Sequence, residues 1–71
     1  ADRLAEAAEA YASAVEADPG FGLAYFELAR TYIRLERYQE ALPPARRAVE
    51  FLRDHASSRQ MLADLEQALG A

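Results

Sequence analysis

Arg30 and Arg34 stand four positions apart in a stretch with helical spacing, one turn from each other. A carboxylate can be bridged between two such guanidinium groups while Phe26 and Ile33, on the same segment, hold an apolar neighbour. That is recognition chemistry, and no catalytic constellation in the 71 residues competes with it. His55 is the only histidine, sits beside Asp54, and has no cysteine anywhere to join it, so neither a metal site nor a thiol–imidazole pair can be assembled. It is expected to be a solvated residue near a helix C-terminus. Ser13, Ser57 and Ser58 have no base placed by spacing, and the last two read better as helix caps. Glu6 and Glu9 belong to a solvated helix face, and Gly20, Gly22 and Gly70 form no phosphate-cradling loop. The residues therefore predict no enzyme, no metal and no cofactor.

The elements that position the arginines are legible from periodicity. Tyr25, Leu28, Ala29 and Tyr32 recur at i, i+3, i+4 and i+7, which puts them on one face of a helix that needs a partner to cover it. After the break Leu35-Glu36-Arg37, the residues Tyr38, Ala41, Leu42, Ala45, Ala48 and Val49 step by three and four again. A connection this short makes the second helix antiparallel to the first, and the small Ala41 and Ala48 let the two backbones approach. Leu23, Phe26 and Ile33 add a second, narrower stripe to the first of these helices, as expected of a helix covered on two sides.

The rest of the chain extends the pattern. Residues 2 to 17 read as a helix with Leu4, Ala7, Ala8, Tyr11, Ala14 and Val15 as its buried stripe and Asp2 as N-cap, stopped by Asp18-Pro19-Gly20. Pro43-Pro44 removes two backbone donors, so a distorted or late-starting helix is expected there. Ser57 or Ser58 is placed to cap a fourth helix carrying Met61, Leu62, Leu65, Ala68 and Leu69, ended by Gly70.

The hairpin of residues 25 to 48 resembles a tetratricopeptide repeat. That family's pattern is an aromatic, two residues, Leu-Gly, two residues, Tyr, then a helix with Ala and an aromatic four later, in a period of about 34 residues. Tyr25, Leu28-Ala29, Tyr32, Ala41 and Ala48 fill those places; Ala45 stands where an aromatic is usual and Arg53 where a proline is. A single shift of about 34 residues also pairs Leu4 with Tyr38, Glu6 with Glu40, Ala7 with Ala41, Ala14 with Ala48, Val15 with Val49 and Glu16 with Glu50. In the first segment Tyr11 takes the aromatic place and Asp18-Pro19 ends the helix in the family's manner. The resemblance implies an all-α fold of four helices, antiparallel hairpins stacked as a right-handed α-α superhelix. It divides one domain, residues 1–71, into the second helix of a partial repeat (2–19), a full repeat (22–55) and a C-terminal capping helix (56–70).

Composition sets limits on this reading. A core of this size rarely supplies more than about 3–5 kcal/mol, and without cysteine no disulfide can add to it. No apolar run approaches the roughly 20 residues of a membrane span, and no basic-then-apolar start suggests a signal peptide, so a soluble, cytoplasmic module without membrane contact is expected. Net charge is −5 over residues 1–27, +3 over 28–59 and −2 over 60–71. The acidic flanks and the total of −4 speak against nucleic acid as a partner.

By resemblance, Phe26, Arg30, Ile33 and Arg34 occupy places from which the family's concave face recognises extended peptides, with Gln60, Met61 and Asp64 lining the same groove. The family's best-known variant grips a C-terminal carboxylate with Lys, Arg and Asn; here Glu27, Gln60 and Asp64 stand where such residues would be needed. The expected ligand is accordingly an internal acidic and apolar segment of a protein or peptide. A purely structural alternative has Phe26 and Ile33 packing against Met61 and both arginines pairing with Glu27 and Asp64, the chain being a piece of a longer scaffold or a self-associating unit. About three repeats are needed for a stable stack and this chain has the equivalent of two, so the outer face of the first helix calls for a second copy or an adjacent repeat.

Overall fold

The computed structural model describes residues 3–70. Asp2, expected as an N-cap, lies outside them. Four helices follow one another: α1 (Arg3–Ala17), α2 (Gly22–Arg34), α3 (Tyr38–Phe51) and α4 (Ala56–Leu69). Their limits repeat with the spacing seen in the sequence, since α2 and α4 begin, and α1 and α3 end, 34 positions apart. Each helix packs on its neighbour in the chain, and α2 with α3 forms the most extensive pairing.

The core lies where α2, α3 and α4 meet. Ala29, Ala41, Leu42, Ala45 and Leu65 are buried together, with Tyr32, Ile33, Met61, Leu62 and Leu69 packed around them. Ala29, Ala41, Ala45 and Ala48 are fully inaccessible, so a methyl is all that the closest crossing accommodates. Ala45, where an aromatic residue would be usual, is part of that crossing. Thr31 is also buried, and its hydroxyl donates to the Glu27 carbonyl at 2.7 Å, a back-bond to the preceding turn that satisfies the one polar side chain α2 turns inward. Ala7 and Ala14, expected at helix crossings like Ala41 and Ala48, are only half-buried; Ala8 is the buried residue of α1. The reason is that α1 packs chiefly on α2, which leaves its other apolar side without a neighbouring helix.

The turns show how short connections reverse the chain. At the end of α2 the Arg37 amide donates to the Tyr32 carbonyl at 2.8 Å and the Glu36 amide to Ile33 at 2.9 Å, the paired bonds of a Schellman motif. The motif needs a left-handed residue, and Glu36 occupies it at φ 61°. Glycine adopts this conformation without the clash of a Cβ against the following carbonyl. Glu36→Gly is expected to raise stability by about 1 kcal/mol, read as a higher urea midpoint at unchanged slope. The turn is further pinned by Arg37, which chelates Glu40 at 2.6 and 2.7 Å and lies 5.0 Å above the Tyr32 ring. The hydrogen bond from Arg37 lowers the pKa of Glu40, so this contribution is present above the ordinary carboxylate range and fades as pH falls through the lowered value.

α1 ends at Ala17 and the chain turns at Pro19 and Gly20, as expected of Asp18-Pro19-Gly20. The turn is closed by Phe21 donating to the Asp18 carbonyl at 3.0 Å, with the Asp18 carboxylate accepting from the Gly20 amide at 3.3 Å. One further expectation is corrected: Pro43-Pro44 does not delay α3, which begins at Tyr38 and carries both prolines in its interior. The carbonyls deprived of donors are those of Gln39 and Glu40. Both residues are exposed, which leaves these carbonyls to water.

Candidate functional site

The stacking of α4 beside α2 leaves an open channel of about 500 Å³ between them, within the range of sites that hold small ligands or segments of chain. Its floor is the accessible side of the core, where Ile33, Met61 and Leu65 pack. Tyr38 and Ala68 mark one end, and Phe26 and Ser57 contribute from the other helix starts. The polar rim is formed by Arg30 from α2 and by Gln60 and Asp64 from α4.

Six of the seven residues expected to line a binding groove, Phe26, Arg30, Ile33, Gln60, Met61 and Asp64, are brought to this one channel. Arg34 is not among its lining residues; it is the last residue of α2 and exposed. The two arginines therefore do not jointly frame the channel, and only Arg30 can meet a ligand in it. That side chain is itself engaged, 2.6 Å from Glu27 and 5.8 Å above the Phe26 ring. The Glu27 pair matches half of the structural alternative, whereas Asp64 accepts a hydrogen bond from Gln60 at 2.9 Å. Because Arg30 is 55% exposed, its pairing is a surface ion pair worth at most about 1 kcal/mol. A ligand carboxylate can compete for it.

Sequence reasoning missed Tyr38, Ser57, Leu65 and Ala68 as lining residues. Leu65 and Ala68 belong to the apolar stripe of α4, which lines the channel as well as the core: Leu65 is buried and Ala68 exposed. Ser57 and Ser58 do not cap α4 with their side chains: the helix begins at Ala56 with His55 as N-cap. The Ser58 hydroxyl, fully buried, instead lies 2.6 Å from His55 Nδ1. His55 is thus not a solvated residue at a helix C-terminus. It is half-buried at the start of α4, with its ring edge-on to Phe26 at a centroid distance of 4.8 Å. The signal that could have located it is the pair His55 and Ser58, three apart at a helix start, where a side chain at either position can reach the other.

Among the described residues no set of three His, Cys, Asp or Glu side chains is arranged to hold a metal ion. No helix there is long and apolar enough to cross a membrane. A family model described as tetratricopeptide repeat matches residues 1–65. No curated protein and no solved structure matches the chain.

Proposed function

The chain belongs to the tetratricopeptide repeat family, and from that premise we propose that it is a cytoplasmic protein-interaction module that holds a segment of another protein in the channel between α2 and α4. The observation that carries this reading is the convergence of Phe26, Arg30, Ile33, Gln60, Met61 and Asp64 on one apolar channel with a polar rim. The ligand is an extended segment that sets an apolar side chain on Ile33, Met61 and Leu65 and an acidic group against Arg30, displacing Glu27. Residues 22–55 act as the full repeat, 2–19 as the second helix of a partial one, and 56–70 as a cap that supplies the second wall.

Panning a phage-displayed peptide library against the immobilised chain tests this. Selected peptides are expected to share an apolar residue near an acidic one and to lose about tenfold or more in affinity to Ala68→Arg, a change at an exposed residue of the channel end, with helicity unchanged by circular dichroism. Equal affinity for wild type and variant would place binding elsewhere.

A further inference from the structure

Among the described residues, the lining of the channel between α2 and α4 contains two charged side chains, Arg30 and Asp64, one of each sign. Each stands eight residues past the first residue of its helix, so the two positions are 34 apart, the spacing at which the helical pair repeats. Because α2 and α4 are both joined to α3 by short connections and run antiparallel to it, they run in the same direction. Equivalent positions on them therefore come to the same level of the channel, and the repeat sets a cation on one wall opposite an anion on the other. Nearer the helix starts the equivalent pair is Phe26 and Gln60, both uncharged. The opposition of charges belongs to one level.

These two charges do not neutralise each other. None of the ion pairs among the described residues joins them. Each turns back along its own helix instead, Arg30 to Glu27 at 2.6 Å and Asp64 to the Gln60 amide at 2.9 Å, and the way to the apolar floor stays open between them. Both residues are exposed, and surface partners of this kind are readily exchanged for others. Resting on the reading of this channel as a peptide site, we infer that its ligand is dipolar: within about three residues it carries an acidic side chain for Arg30, a basic one for Asp64 and an apolar one for the floor. An extended segment sends neighbouring side chains to opposite sides in a strand, or to successive sides of a polyproline turn, which is what facing walls and a floor require. A segment with acids alone would be drawn to Arg30 and repelled by Asp64, so the anionic wall excludes it while the cationic wall excludes a purely basic one.

The test pans one random peptide library in parallel against the wild-type chain and against Asp64→Lys. Peptides selected on the wild type are expected to carry Lys or Arg beside or one residue removed from their acid, and those selected on Asp64→Lys a second acid in that place. A wild-type-selected peptide, synthesised acetylated and amidated, is expected to lose about tenfold in affinity to Asp64→Lys at low salt and less to Asp64→Asn, both losses shrinking at high salt as the charges are screened. Changing the base of that peptide to Glu should recover most of the affinity for Asp64→Lys. Circular dichroism of both variants should match the wild type, since Asp64 is exposed. Selected peptides that lack the base, or that bind wild type and Asp64→Lys equally, would overturn the dipolar ligand while leaving the channel reading in place if Ala68→Arg still weakens them. Insensitivity to Ala68→Arg as well, or no selected peptide at all, would remove the channel reading and the dipolar ligand with it.

Discussion

Leu65→Ala is expected to destabilise the chain by about 2–5 kcal/mol, the range for emptying a buried leucine site that cannot fully collapse. Leu65 is only 3% exposed and sits in the one core cluster with Ala29, Ala41, Leu42 and Ala45. The only other buried residue of α4 is Ser58, so the helix has one deep apolar anchor. Against a core that provides about 3–5 kcal/mol in total, losing that anchor should leave a large unfolded fraction in water and remove the second wall of the channel. Urea denaturation followed by circular dichroism measures the loss; Leu69→Ala, at a half-buried position of the same helix, should cost clearly less. A loss for Leu65→Ala below about 1 kcal/mol would mean that α4 is held by something other than this contact.

Gly22→Ala is the second large effect, and its sign opposes helix propensity. A Cβ added at Gly22 would stand 2.7 Å from Leu52 Cγ and 2.9 Å from Leu52 Cδ2, closer than carbon atoms can sit, and tight against Phe51 Cβ at 3.1 Å. Alanine would gain up to about 1 kcal/mol as a helix former, yet forcing Leu52 aside should cost about 1–3 kcal/mol by overpacking. Position 56, 34 residues on, already carries an alanine and is exposed, so the requirement for glycine arises from the end of α3 closing over the start of α2. Pairing Gly22→Ala with Leu52→Ala should recover part of the loss, and the coupling in a double-mutant cycle measures the contact. Additive losses would show that the clash is relieved elsewhere.

How much could be read from the sequence depended on whether a residue's role was set by its own helix. The stripe Tyr25, Leu28, Ala29 and Tyr32 and the small residues Ala41 and Ala48 declare a helix pair by spacing alone, and the period of 34 carries that pair along the chain. The lining residues followed because Phe26, Arg30 and Ile33 share the side of α2 away from that stripe. What failed depends on neighbours. Ala7 and Ala14 look identical to Ala41 and Ala48 in sequence, and only the absence of a helix across from them distinguishes their burial. Arg34 shares a face with Arg30, but as the last residue of α2 it is not a lining residue of the channel. His55 has no apolar periodicity to place it: its pairing with Ser58 is local, but its contact with Phe26 exists only once α4 is docked.

The most direct test of the central reading is an NMR titration of the ¹⁵N-labelled chain with a peptide selected from the library. Amide shifts are expected to cluster at Ile33, Tyr38, Met61, Leu65 and Ala68, with the Arg30 guanidinium moving away from Glu27 as the ligand carboxylate arrives. Shifts that leave those residues unmoved and gather on the outer faces of α1 or α3 would contradict it.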